Sequence, residues 1–350
     1  MPNNNTPFMT TVVGSMPKRQ WLYKLTGAKN GSEYRYGKEG AWTLDGEALA
    51  RAKDDAARVA IRVQERAGID IVSDGEQRRE HYLTHLTHNM EGFDYRELVE
   101  KSIRGGRSKA MVGQCVGDIK HTGAITVDDL AFLQSEADRP VKVTLPGPMT
   151  VVDSTFDAHY GDEKEMAFAW ADAINQEARL LDALGPAMIQ FDEPTFSRYP
   201  DKVEAWGIEA LNRCVDGIKS DTIVHVCYGY PRAGSPNRPI VDSYPTIIAA
   251  LDKSRIDILA LEFEGANLDP ALLKACPSKK VMFGCVFNSD SVMETPRHVA
   301  GRLLKAAESL PPEQILAAPD CGLAPMSFDT AAEKLDIMVK GAALAREQVS

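Results

Sequence analysis

A chain of 350 residues with 44% hydrophobic and 26% charged residues has the make-up of a globular protein with a sizeable core, and is long enough for one large barrel. A net charge of −10, with no basic patch interleaved with aromatics, excludes a sequence-independent grip on nucleic acid. No apolar run approaches the roughly 20 residues of a membrane span. Met1-Pro2-Asn3-Asn4-Asn5 has neither part of a signal peptide, so a cytoplasmic location away from membranes is expected.

The first strand-like run is Phe8 to Val13, closed by Gly14-Ser15-Met16-Pro17. After a polar insert (24–46), residues 47–67 carry Leu49, Val59, Ile61 and Val63 at helical spacing and stop at Gly68. Ile69 to Ser73 is the second strand and Val141 to Leu145 the third. The long gap between them is an elaborated loop holding His81–Met90, Arg104–Lys109 and a hairpin at 112–120. Helix 163–184 then leads to strand 187–191, helix 203–219 to strand 222–226, and helix 242–252 to strand 257–261. Residues 270–276 precede strand 281–284, helix 297–309 leads to strand 315–318, and helix 328–347 closes the chain. Eight apolar runs alternating with helices predict an α/β fold, a (β/α)8 TIM barrel in a single domain spanning 1–350. A doubly wound sheet is the runner-up, but no Gly-rich phosphate loop follows the first strand.

Active sites of such barrels lie at the C-terminal strand ends. Polar residues fall there with some regularity: Ser15, Asp74-Gly75-Glu76, Asp192-Glu193, His225-Val226-Cys227, Glu262, Asn288 to Asp290, and Asp320-Cys321. Six cysteines are too few for a disulfide framework, and Cys115, Cys214, Cys276 and Cys285 read as small buried hydrophobes. His225 and Cys227 leave one strand on the same face, and Cys321 ends another. Zinc takes such nitrogen and sulfur ligands in a tetrahedral set, with Glu262 placed as a fourth that leaves when substrate arrives. A core histidine beside two buried thiols is the competing reading.

The pieces Thr11-Val12-Val13-Gly14-Ser15, Asp74-Gly75-Glu76, Leu145-Pro146-Gly147-Pro148-Met149-Thr150, Ile189 to Pro194, His225-Val226-Cys227-Tyr228, Glu262 and Pro319 to Leu323 run in order along nearly the whole chain. In this they resemble the C-terminal catalytic barrel of cobalamin-independent methionine synthase. The resemblance implies a Zn2+ held by His225, Cys227, Glu262 and Cys321, which activates the homocysteine thiol for methyl transfer. It also implies that Ser15, Glu76 and Asp192 hold the amino-acid end of homocysteine. That suits their chemistry: two carboxylates bind an ammonium, and the Ser15 hydroxyl with the N–H groups of the Gly14-Ser15 turn binds a carboxylate.

Departures from that pattern bear on the methyl donor. Where the folate-dependent enzyme has a tryptophan to stack on the pterin, this chain reads Val151-Val152-Asp153-Ser154. The histidine that assists proton transfer in the family falls at Asp290, which is therefore a catalytic candidate with Glu262. At 350 residues the chain is also not expected to carry the second barrel that, in the family it resembles, helps hold the polyglutamate. The expected donor is thus methylcobalamin, a methyl-corrinoid protein or one supplied by a partner protein. Alkyl transfer to another thiol such as coenzyme M, or a zinc-bearing homocysteine or methionine sensor without turnover, are the alternatives; a sulfonate acceptor lacks the ammonium that Glu76 and Asp192 suit. His81, His85 and His88 read as a polar helix face, and Arg78-Arg79 as either a donor anchor or a solvated pair. Trp21, Tyr23, Tyr34, Tyr36 and Trp42 read as loop packing, with Tyr228 and Tyr230 as stacking candidates.

Overall fold

The computed structural model describes residues 6–23, 42–230 and 240–349. Its strands are the pair β1 (Glu91–Ile103) and β2 (Ser108–Lys120), then β3 (Lys142–Pro146), β4 (Phe156–Asp157), β5 (Met188–Asp192), β6 (Asp221–Val226), β7 (Ile258–Leu261), β8 (Lys280–Val286) and β9 (Ile315–Pro319). Six of them form one parallel sheet in the order β3-β5-β6-β7-β8-β9. Parallel bridges Thr10↔Ala317, Thr11↔Ile71 and Val72↔Val141 close that sheet through the two expected N-terminal runs. The result is the eight-stave barrel.

The first two staves are held partly by side chains. Asp70 accepts hydrogen bonds from the Thr10 N–H (2.8 Å) and hydroxyl (2.9 Å), and Arg346 from the last helix donates to the Pro7 and Phe8 carbonyls and to Asp70. Those contacts replace part of a regular ladder.

Side chains alternate across each strand, so one inward layer is built from every stave. Near the N-terminal ends that layer is apolar: Met9, Ile71, Met188, Ile223, Ile258, Met282 and Leu316 pack as a floor. Two residues further along, Gln190 and His225 replace the hydrocarbon. The outward faces bury against the helices Gly46–Ala67, Glu163–Asp182, Tyr244–Asp252, Pro296–Ala306 and Phe328–Val349, around the fully buried Trp170. The barrel is therefore plugged below and polar above.

Three expected bounds change. The hairpin is not 112–120 but the whole of β1 and β2, joined by a turn at Arg104–Arg107. β1 carries Glu91, Asp94, Arg96, Glu97, Glu100 and Lys101, lies half exposed and slips register between Asp94 and Val99, which hides its alternation in the sequence. The helix expected at 203–219 begins as a π turn, Val203–Gly207, and ends at Cys214; the element at 270–276 is a 3-10 helix, Pro270–Ala275.

Candidate metal centre

His225 is on β6 with its side chain inward, and Cys227 follows one residue after the strand ends on the same side. Cys321 lies just beyond β9. One ligand atom from each of the three lies within 4.8 Å of the others, and all three residues are buried. The two sulfurs are 3.5 Å apart. Among the described residues neither buried ring nitrogen of His225 has a nitrogen or oxygen partner, and the Cys227 sulfur is its neighbour. A buried imidazole without such partners is costly, and a metal ligated at one ring nitrogen would offset part of that cost. With metal–sulfur bonds near 2.3 Å and metal–nitrogen bonds near 2.0–2.1 Å, tetrahedral ligand atoms sit about 3.5–3.8 Å apart, so this donor set fits zinc.

The thiols separate by environment. Cys227 is held well below the ordinary thiol range, by its hydrogen bond with Cys321 first and against the penalty of burial, with His225 adding to the effect. Burial pushes Cys115 up to about 11 and Cys276 up to about 12, and it raises Cys214 and Cys285 as well. Only a thiolate ligates or attacks, so these four are inert packing, as the sequence suggests.

Glu262 follows β7 and is fully buried. Its N–H reaches Val226 O (3.4 Å), but its carboxylate lies outside the three-ligand cluster and accepts from the Tyr228 N–H at 2.9 Å. The loop after it is clamped by Asp320, whose carboxylate accepts the N–H groups of Phe263, Glu264 and Gly265 at 2.6–2.9 Å.

A pocket of about 760 Å³, counted with its open mouth, joins His225, Cys227 and Cys321 to Gly14, Ser15, Glu76 and Asp192. The structure thus brings the expected acceptor residues and the cluster to one cavity. Glu76 adopts a left-handed backbone, φ +55°, with its N–H held by Asp74 at 2.9 Å. Such strain in a non-glycine residue persists where the surroundings impose it. Its carboxylate accepts from Thr144 Oγ1 (2.9 Å) and presses against Gly14, where a Cβ would come within 2.9 Å of Glu76 Oε1. Ser15 Oγ lies 3.3 Å from the Tyr230 hydroxyl. Burial pushes the Asp192 carboxyl up to about 7, with His225 opposing.

Other candidates fall elsewhere. Asp290 is exposed and accepts the Ser327 N–H at the start of the last helix, outside the pocket. Arg78 and Arg79 are neither a donor anchor nor a solvated pair: Arg78 bridges Asp54 and Asp129, and the buried Arg79 donates to Thr144 O at 2.8 Å. The helix behind His81, His85 and His88 is a single turn, Thr84–Thr87, and the last two histidines face Glu80 at 3.1 and 3.6 Å. Tyr23 meets Trp42 edge-on as loop packing, Trp21 is largely exposed, and Tyr34 and Tyr36 lie outside the described residues. Tyr228 and Tyr230 both line the pocket. The sequence reading missed the contribution of the hairpin tip, Arg104, together with Tyr82 and Arg198. It also passed over Lys142 and Gln190, although a lysine and a glutamine in fully buried parallel strands are themselves a signal.

The His-Cys-Cys group that could hold a metal ion lies at the C-terminal mouth of a (β/α)8 barrel, where enzymes of this fold carry their active sites. Residues 8–344 match the family model described as the catalytic domain of cobalamin-independent synthase, and the chain belongs to that family. It is similar to methionine synthase of Sulfurisphaera tokodaii, 30% identical over 97% of this chain and 93% of that protein. It is also similar to 2-hydroxypropyl-CoM lyase of Xanthobacter autotrophicus, 29% identical over 97% of this chain and 96% of that protein. Among solved structures, a B12-independent methionine synthase from Shewanella sp. W3-18-1, in complex with selenomethionine, superposes with a TM-score of 0.87 at 33% identity, covering 98% of this chain and 99% of that one. No described helix is long and apolar enough to cross a membrane.

Proposed function

We propose that this enzyme transfers a methyl group to the thiol of homocysteine, forming methionine. The observation that carries the reading is one pocket joining the orphaned His225 and two paired thiols to the buried carboxylates of Glu76 and Asp192. His225, Cys227 and Cys321 would hold the zinc, with Glu262 as an exchangeable fourth ligand. When bound, zinc supplies the charge that lowers the pKa of a coordinated thiol, so that it reacts as a thiolate at neutral pH. Glu76 and Asp192 bind the ammonium of the acceptor, while Ser15 and the N–H groups of the Gly14-Ser15 turn bind its carboxylate. These contacts orient the acceptor sulfur for in-line displacement at the donor methyl carbon, a new C–S bond forming as the donor–methyl bond breaks. Asp290, exposed and hydrogen-bonded to Ser327, is assigned no step.

The donor is proposed to be other than folate polyglutamate: methylcobalamin, a methyl-corrinoid protein or a donor delivered by a partner protein. Ser154 lines the pocket where a pterin-stacking ring is wanted, which supports this. The similarity to a coenzyme M lyase supports a second reading, alkyl transfer to another thiol. The carboxylate pair favours an acceptor with an ammonium. The test is methionine formation by zinc-loaded protein from homocysteine, with methyltetrahydrofolate and methylcobalamin in parallel and Cys321→Ser as control. Turnover with methylcobalamin, lost in Cys321→Ser, supports the proposal. Turnover with folate refutes the donor assignment, and failure of homocysteine to bind refutes the acceptor.

A further inference from the structure

Lys142 is the first residue of β3, and its side chain is completely buried inside the barrel. Among the described residues its ammonium makes no direct salt bridge. It donates to the Val12 carbonyl at 2.6 Å, to the Val13 carbonyl at 2.9 Å, and to Gln190 Oε1. Three oxygen acceptors around one nitrogen call for three N–H donors, the count of an ammonium rather than an amine. Gln190 in turn donates from Nε2 to Asp192 Oδ1 at 2.7 Å and to Val13 O at 2.8 Å. One buried cation therefore ties the residues leading into the Gly14-Ser15 turn to the Asp192 carboxylate, across two staves distant in sequence.

A buried ammonium is expensive, and a methionine of similar volume would satisfy the core without that cost. Burial does pull Lys142 down, to about 7, and what opposes it is the charge of Asp192 and Glu76. On the next inward position of the same strand, Thr144 donates to Glu76. β3 thus supports both carboxylates from below, Glu76 through Thr144 and Asp192 through Lys142 and Gln190.

We propose that Lys142 is a positioning residue for the amino-acid end of the acceptor: through the Val12 and Val13 carbonyls and Gln190 it fixes the Gly14-Ser15 turn and Asp192 at one spacing, and it sets a counter-charge beneath the carboxylate pair. The inference rests on the acceptor reading above. It makes Lys142 a determinant of amino-acid recognition and leaves zinc binding to other residues.

The experiment is calorimetric titration of the zinc-loaded protein with homocysteine and, separately, with 2-mercaptoethanol, a thiol without the amino-acid group. Wild type, Lys142→Met and Gln190→Met are compared at equal zinc content. The expected result is an affinity for homocysteine lower by at least about tenfold in both variants, the order of loss a misplaced binding group produces, with 2-mercaptoethanol binding unchanged. Equal loss for both thiols would mean general damage to the barrel and would overturn the proposal, as would unchanged homocysteine affinity in either folded variant. If Lys142→Met does not fold, Gln190→Met decides alone, since it cuts the link to Asp192 while leaving the two carbonyl contacts of Lys142. Failure of wild type itself to prefer homocysteine over 2-mercaptoethanol would instead remove the acceptor reading on which the proposal rests.

Discussion

Asp320→Asn tests whether the loop after β7 is held by charge. Asp320 Oδ1 accepts the N–H groups of Phe263 and Glu264, both at 2.9 Å, and Oδ2 accepts that of Gly265 at 2.6 Å. Asparagine keeps the shape but has only one acceptor oxygen, so at least one N–H is left facing an amide NH2. Bonds to a charged acceptor contribute about 1.5–3 kcal/mol each and neutral ones about 0.5–1.5. One bond lost and two weakened come to roughly 3.5–6 kcal/mol. With an unfolding entropy of about 2.1 cal/mol/K per residue over 350 residues, that is a fall in Tm of about 5–8 °C. Gly284 leaves no slack for an alternative rotamer, since a Cβ there would lie 2.3 Å from Asp320 Oδ1. The loop begins at Glu262 and Asp320 precedes Cys321, so zinc affinity should fall as well. Thermal melts of apo and zinc-loaded protein, with a chromophoric chelator competing for the metal, measure both effects. A Tm within 1 °C of wild type would refute the reasoning.

Two further outcomes follow from the titratable groups. In chelator-stripped protein, iodoacetamide should modify Cys227 first, at a rate nearly flat from pH 7 to 9, because its depressed pKa already makes it a thiolate. Cys115, Cys214, Cys276 and Cys285 should stay unmodified, zinc should protect Cys227, and peptide mass spectrometry reads the pattern; uniform labelling of all six would contradict it. Glu80, hydrogen-bonded to His85 and His88, is held far below the usual carboxylate range by those bonds, against the opposing effect of burial. Its contribution is therefore present above the ordinary glutamate pKa and lost as pH falls through the depressed one. Glu80→Gln should cost about 1 kcal/mol near neutrality, and the gap from wild type in urea unfolding should close on acidification below about pH 4.5.

How much of this was legible in the sequence depended on how each feature writes itself. Apolar parallel strands are continuous hydrophobic runs, so all eight staves could be read, and strand periodicity placed His225 and Cys227 on one face. β1 could not be read, because a solvent-facing strand with charges and a register slip has no run to see. Arg78 and Arg79 were misread because nothing local reveals that Asp54, Asp129 and Thr144 come from other elements to meet them. Lys142 was a different case. Its position in Val-Lys-Val-Thr-Leu was plain, but its role appears only when Val13 and Gln190 arrive from neighbouring staves.

The stretch Val151-Val152-Asp153-Ser154 has its own use here. Asp153, nearly buried, accepts from the Arg104 N–H at 2.9 Å and from the Tyr199 hydroxyl at 2.7 Å, and that hydroxyl accepts from the Gly105 N–H at 2.7 Å. Arg104 sits at φ +56°, a left-handed conformation that these bonds hold in place, and its side chain lines the pocket. Asp153 thus fastens the tip of the long hairpin to the rim, and the space next to it is bounded by the small Ser154. On the proposed function this is the donor side of the pocket, apart from the acceptor residues Glu76 and Asp192, so the two sides should separate in kinetics. Asp153→Ala frees the Arg104 N–H and the Tyr199 phenol, a loss of about 2–4 kcal/mol of local hydrogen bonding, and should loosen the hairpin without disturbing Glu76 or Asp192. The expected result is a KM for the methyl donor raised about tenfold or more, with the KM for homocysteine within twofold of wild type. Hydrogen exchange should quicken in residues 100–110 alone. A change in the homocysteine KM with the donor KM unaltered would show that the hairpin serves the acceptor instead.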